Sequence, residues 1–246
     1  STDTKGEYDP QYFDYQTHIV LKPSAKFQIS FLGNIALNDY KFVPKNRETS
    51  FGTSTDAKTF LVYFDGQEHD KFQTFFGAAT LNYKPNKGND FSLIASAYQT
   101  NELVAYDIHG EYWLDQAGGD AEGNRGELGV GKYHEHARNR LRINVWELGV
   151  KGNTAISHNN FSYGFNIRRD DIYERSREWQ WRDSAGYSLP HIPEEVNVIY
   201  SMASKNDIKT SRFAGYVQDT YKLYMGAGVL SVNAGIRVSY WDFNKE

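Results

Sequence analysis

Phe27, Ile29, Phe31, Gly33, Ile35 and Leu37 alternate with Gln28, Ser30, Asn34 and Asn38, and only Leu32 and Ala36 break the pattern. Side chains of an extended strand point alternately to its two faces, so this spacing predicts a strand with one apolar and one polar face. Leu230, Val232, Ala234, Ile236, Val238 and Tyr240 against Ser231, Asn233, Gly235, Arg237 and Ser239 repeat it almost without exception. Phe161, Tyr163, Phe165 and Ile167 against Ser162, Gly164, Asn166 and Arg168 repeat it again. Residues 72–83, 91–99 and 141–150 alternate less cleanly, and the last is expected to change face near Trp146 and Glu147. No window carries the apolar stripe of an amphipathic helix. The pattern predicts about eight antiparallel strands, at 17–22, 26–42, 70–84, 89–106, 134–151, 160–173, 211–224 and 229–243.

The connections alternate in length. Short polar turns fall at 22–25, 84–89, 151–160 and 224–228, and between them lie longer connections at about 43–69, 107–133 and 174–210. Loops beyond about 15 residues are uncommon in compact domains, whereas transmembrane barrels combine tight periplasmic turns with long extracellular loops. The expected fold is therefore all-β: an antiparallel up-and-down meander of long strands, part of a larger transmembrane β-barrel, with residues 1–246 forming one partial barrel domain. Some long connections, such as the one holding Ser176-Arg177-Glu178-Trp179-Gln180-Trp181-Arg182, are expected to extend strands above the membrane, and the Gly-rich stretch at 117–126 to form a flexible loop. The chain starts Ser1-Thr2-Asp3-Thr4, with no initiator Met or signal-peptide pattern, and stops directly after an alternating segment, so both ends are expected to be cuts through a longer protein.

Composition narrows the field. Only 39% of the residues are hydrophobic and no apolar run approaches the roughly 20 residues of a spanning helix, which excludes a helical membrane protein. The 18 Tyr, 15 Phe and 5 Trp suit either the aromatic girdle of a membrane barrel or a carbohydrate-binding β-protein. Net charge is −4 with both signs interspersed, which gives no electrostatic footprint for nucleic acid. Without cysteine there is neither a disulfide framework nor a thiolate zinc site.

Tyr216-Val217-Gln218-Asp219-Thr220-Tyr221-Lys222-Leu223, a short Gly turn, and then Leu230-Ser231-Val232-Asn233-Ala234-Gly235-Ile236-Arg237 resemble a barrel hairpin of the TonB-dependent outer-membrane receptors. Leu21-Lys22-Pro23-Ser24 and Tyr83-Lys84-Pro85-Asn86 are similar to the periplasmic turns of such barrels, and the wealth of Tyr and Asn resembles receptors of Bacteroidetes-type bacteria. The resemblance implies a parent barrel of about 22 strands with an N-terminal plug. It would sit in the bacterial outer membrane and import a scarce solute (a glycan, a siderophore or other metal chelate, or a cofactor) with energy delivered through a periplasmic coupling protein. Plug and coupling box are not found in this chain. The partners implied are outer-membrane lipid, the imported small-molecule or oligosaccharide ligand, the remainder of the barrel and plug, and a surface lipoprotein; nucleic acid is not among them.

Trp179 and Trp181 share a face if their segment is extended, and paired indoles can stack on sugar rings or aromatic chelators; packing among extracellular loops is the bland alternative. Arg140, Arg142, Arg168 and Arg237 are expected on polar strand faces, pointing into a lumen, and Arg142 and Arg168 join the two Trp residues as ligand-binding candidates. A self-neutralising lumen wall would use the same arginines. His134 and His136 share a strand face at a spacing that suits one metal, but no third ligand is visible in the sequence, so no metal site is assigned. The acidic pairs Asp170-Asp171 and Glu194-Glu195 are neighbours that point to opposite faces, and no nucleophile elbow, phosphate loop or dinucleotide fingerprint occurs. The expectation is no enzyme and no cofactor. Two rivals remain: a soluble or surface-attached β-protein that binds glycans and packs its apolar faces together, and a closed barrel of about eight strands whose first and last strands pair.

Overall fold

The alternating segments rich in Phe, Tyr, Val and Ile all become strands, as their β-branched and aromatic content favours. The computed structural model describes residues 6–53, 56–117, 128–183, 198–226 and 228–243. They form β1 (Gly6–Leu21), β2 (Phe27–Pro44), β3 (Arg47–Thr53), β4 (Asp56–Asn86), β5 (Asn89–Ala117), β6 (Leu128–Ile156), β7 (Asn159–Asp183), β8 (Val198–Met225) and β9 (Gly228–Phe243). All pair antiparallel in one up-and-down sheet of order β1-β2-β4-β5-β6-β7-β8-β9, with short β3 added along the outer half of β4. Among the described residues β1 and β9 do not pair with each other, so the sheet is open and the closed eight-strand barrel is excluded.

At one end the connections are tight. Asn86 closes the β4–β5 turn by accepting from the Gly88 backbone N–H and the Asn89 amide, each at 2.9 Å. Ser157, at φ 55°, makes the β6–β7 turn with His158. The turn expected at 151–160 shrinks to these two residues because Lys151–Ile156 continue β6 in register with β7.

The other end departs further from expectation. β4, β5, β6 and β8 run 31, 29, 29 and 28 residues, so most of what reads as connection at 43–69, 107–133 and 174–210 is strand. Both faces of those extensions carry polar residues, which hides the apolar–polar alternation that marks a strand in the sequence. The Gly-rich stretch beyond Ala117, and Glu194-Glu195, lie outside the described residues.

Residues directly opposed in an antiparallel ladder share a face, so the register extends each strand's parity across the whole sheet. One face carries a continuous apolar belt. Its topmost member is Phe13 in β1, Leu37 in β2, Phe75 in β4, Ala97 in β5, Trp146 in β6, Ile167 in β7, Phe213 in β8 and Tyr240 in β9. This edge slopes. Leu37 lies in register with Gln73, Asn101, Arg142, Tyr173 and Asp207, whereas the belt on β8 stops six residues lower, at Phe213. The lower margin slides the same way, from Leu21 and Phe27 at one side to Leu223 and Leu230 at the other. Six residues are about 20 Å along a strand, and the seven steps from β1 to β9 are about 34 Å across, a slope of about 30°. The belt is uncovered: Ile236 and Val238 are 71% and 67% exposed, and among the described residues only Phe42, Val62 and Ala137 are buried apolar side chains. Among the described residues no second layer covers the belt.

Candidate functional site

The opposite face is polar beside the belt and becomes aromatic above it. Phe60, Val62 and Phe64 of β4 and Tyr106, Ile108, Gly110 and Tyr112 of β5 alternate onto this face, where Tyr133 of β6 joins them opposite Gly110. The rings form a ladder: Phe60 stacks on Tyr112 at 5.8 Å, Tyr112 on Tyr133 at 5.8 Å, and Phe64 meets Tyr133 edge-on at 6.4 Å. Gly110 leaves room for the Tyr133 ring, because a Cβ there would lie 2.3 Å from it. Phe64, Tyr112 and Tyr133, with Phe42, Glu135 and Arg182, line a concave pocket of about 590 Å³. Burial, then nearby Tyr112 and Glu135, pushes the Tyr133 phenol well up, so it stays a neutral hydrogen-bond donor; burial also raises Tyr112 and Tyr106. Flat stacked rings beside two cations, Lys132 and Arg182, and two carboxylates, Glu135 and Asp183, suit a ligand with planar or sugar-ring faces and polar edges.

Below the pocket the same face is acidic. Glu68 and Asp70 sit two residues apart on β4, and burial raises both carboxyls, with Asp70 beside Glu68 pushing Glu68 further. Asp70 Oδ1 is buried without a hydrogen-bond partner among the described residues. An acid whose folded pKa is raised binds more protons folded than unfolded, so its contribution to stability falls as pH rises from the ordinary carboxylate range through the raised value. Glu68→Gln is therefore expected to melt higher than the parent at neutral pH and to converge with it below about pH 4, in thermal scans of the detergent-solubilised protein. Equal melting at pH 7 would show that Glu68 carries no such strain.

Arg168 lies lower on this polar face and is held by buried Asp170, its Nε donating at 2.8 Å, while Thr210 donates to the other carboxylate oxygen at 3.2 Å and Arg212 approaches it at 3.8 Å. Arg168 is thus paired with a carboxylate of its own strand. Arg237 shares its face, opposite Tyr216.

The other candidates are on the belt face. Arg142 is opposite Asn101 and Tyr173, and Arg140 opposite Leu103 and Arg175, so neither points with Arg168 and Arg237 as expected. The expected change of face at Trp146 and Glu147 does not occur, since the β5–β6 register runs through them unbroken. What changes there is the environment, as the apolar belt stops at Trp146. Trp179 and Trp181 do share a face, but it is the belt face, far above the belt and opposite His136 and His134. Trp179 stacks on His136 at 5.2 Å and 9°. Asp107 ties the two histidines together, meeting His134 Nε2 at 2.5 Å and His136 Nδ1 at 3.2 Å, and Arg138 donates to it at 3.4 Å. Burial works to raise the Asp107 carboxyl, but the hydrogen bonds from His134 and His136 outweigh it and hold it low. No three His, Asp or Glu side chains among the described residues converge to hold a metal ion. None of the candidates read from the sequence falls in the aromatic pocket, although the alternation of Phe60, Val62 and Phe64 and of Tyr106, Ile108 and Tyr112 marks the face it occupies.

No protein-family model and no curated protein matches the sequence. Solved structures that resemble it include the ferric citrate transporter FecA in its unliganded form, 10% identical over 99% of this chain and 37% of that one, with a TM-score of 0.34. The copper transporter OprC is 9% identical over 98% of this chain and 43% of its own, with a TM-score of 0.24. The siderophore receptor PiuA from Acinetobacter baumannii is 6% identical over 98% and 47%, with a TM-score of 0.23. This chain spans less than half the length of each of the three. Likeness this slight assigns neither family nor activity.

Proposed function

We propose that this chain is barrel wall and extracellular strand extension of a TonB-dependent outer-membrane receptor, and that the aromatic pocket contacts the scarce solute the parent takes up: a glycan, a siderophore or other metal chelate, or a cofactor. The observation that carries the reading is the sloping apolar belt. Strands of a membrane barrel tilt by about 35–45°, so a belt level with a flat bilayer must cross them obliquely. Turns of few residues at one end and extensions of many at the other supply the matching asymmetry. A strand of 29 residues is about 95 Å long against a hydrocarbon core of about 30 Å, which leaves ample wall outside for a solute vestibule. Binding and passage need no bond-making residue, and the buried carboxylates and phenols serve as polar contacts.

The protein is expected to be monodisperse only in detergent or lipid. Because it has no cysteine, single spin labels are clean probes. A label at Leu148→Cys, on the belt, should be accessible to oxygen in the bilayer, and one at Glu147→Cys, on the opposite face, to a water-soluble nickel chelate. Monodispersity without detergent together with equal label environments would overturn the reading in favour of a soluble glycan-binding protein.

A further inference from the structure

We propose that the solute held at the aromatic pocket is polycationic, a ring compound bearing several amines, with its rings on Tyr112 and Tyr133 and its ammonium groups along Glu135, Glu178, Glu68 and Asp70. This rests on the reading of the pocket as the solute site and adds the charge that the solute carries. At the pocket the charges are mixed, Lys132 and Arg182 standing with Glu135 and Asp183. Below it they are not. Among the described residues, no Lys, Arg or His of β2 to β8 falls on this face from the row of Glu135 down to the row of Glu174. Glu68, Asp70, Glu135, Glu174 and Glu178 all do, each half-buried.

The partners of these acids are neutral. Gln180 Nε2 donates to Glu135 at 2.6 Å, and the Asn139 amide and the Tyr200 hydroxyl donate to Glu178. Ser176, Ser204 and Asn206 donate to Glu174 at 2.6, 2.8 and 2.5 Å. Glu68 meets Asp70, whose Oδ1 is buried without a partner among the described residues. Neutral donors orient a carboxylate without cancelling its charge. The opposite face is built otherwise. There Asp39 takes Lys71 at 3.1 Å, Glu111 takes Lys132 at 3.0 Å, Asp107 takes Arg138 at 3.4 Å and Asp171 takes Arg169 at 3.0 Å. The chain thus neutralises its acids on one face and leaves them charged on the face that carries the pocket, where cations from outside would complete them.

Aromatic rings lie among the acids. Tyr106 is opposite Glu68 on one side and Ala137 on the other, Ala137 is opposite Glu178, and Tyr40 is opposite Asp70. Burial, then Glu178, Glu135 and Glu68, raises the Tyr106 phenol, which presents a neutral π face amid anions. An ammonium group is drawn to both. Glu68 and Glu178 are three strand spacings apart, about 14 Å, and no three acids or histidines among the described residues converge to hold a metal ion. A single cation with ligand oxygens at about 2.3–2.6 Å would touch one end of such a row, whereas amines spaced along a ring scaffold reach both.

Calorimetric binding of kanamycin, an aminated oligosaccharide, and of its fully N-acetylated form to the detergent-solubilised protein tests the charge. The parent is expected to bind kanamycin about tenfold tighter than the acetylated form, the combined effect of two half-exposed ion pairs. Glu68→Gln/Glu178→Gln should lose that preference, and Asp171→Asn, on the opposite face, should keep it. Tyr133→Ala should weaken both forms. No binding of kanamycin, equal binding of the two forms, or a preference that survives the double variant overturns the polycation assignment; the pocket reading stands in that case if Tyr133→Ala still weakens the acetylated form. Unchanged binding of both forms in Tyr133→Ala overturns the pocket reading and the assignment with it. If millimolar calcium abolishes the preference and sodium at the same ionic strength does not, the carboxylates hold inorganic cations and the assignment falls.

Discussion

Phe31→Arg should destabilise the protein in phospholipid vesicles by about 2–4 kcal/mol, while Ser30→Arg, one residue away, should cost less than about 1 kcal/mol. Phe31 stands mid-belt, between Ile19 of β1 and Ala79 of β4, so on the lipid-facing reading a guanidinium there would have only hydrocarbon around it. Ser30 points to the other face, beside Thr80 and Val20, where water or polar wall would solvate the charge. Urea unfolding followed by tryptophan fluorescence measures both. Equal losses would mean that the two faces see the same medium and that the belt is not lipid-facing.

The second large effect is local. Gly66→Val should open the outer β4–β5 pairing, because Gly66 adopts φ 105° and a Cβ would fall 1.9 Å from the Asp107 carbonyl oxygen. A β-branched residue in that conformation costs about 1–3 kcal/mol in strain before the clash is counted. The same displacement moves Asp107, which clasps His134 and His136. Amide exchange at 60–70 and 104–114 is expected to speed up about a hundredfold, with the belt segment 72–83 unchanged. Uniform protection in the variant would show that the backbone can absorb a side chain at this position.

The turn ends of the strands, and the apolar faces of β2, β7 and β9, are legible in the sequence because apolar residues fill one face there and polar residues the other. Beyond the belt polar residues enter both faces, so Asp56–Asp70 or Gly129–Arg138 read as connection although they pair in the ladder, with one register shift at Tyr112–Trp113. The candidate residues illustrate a second limit. That Trp179 and Trp181 share a face follows from parity within one strand. That they oppose His136 and His134, and back away from Tyr133, requires the register between strands, which no local pattern encodes. Arg142 is the same case: the sequence shows a polar residue near the end of an apolar alternation, and only the pairing with Asn101 and Tyr173 reveals that β6 never turns over there.

A wall one strand thick has no interior to insulate its two surfaces. Tyr133 lines the pocket on one side, and His134, the next residue, lies against Trp179 on the other, with ring centroids 4.9 Å apart. A molecule that displaces the phenol ring also moves the peptide that carries the imidazole, and imidazole contact dims an indole. Filling of the pocket would thus register as a change in light emitted from the opposite face, with no relay of residues needed to carry it there.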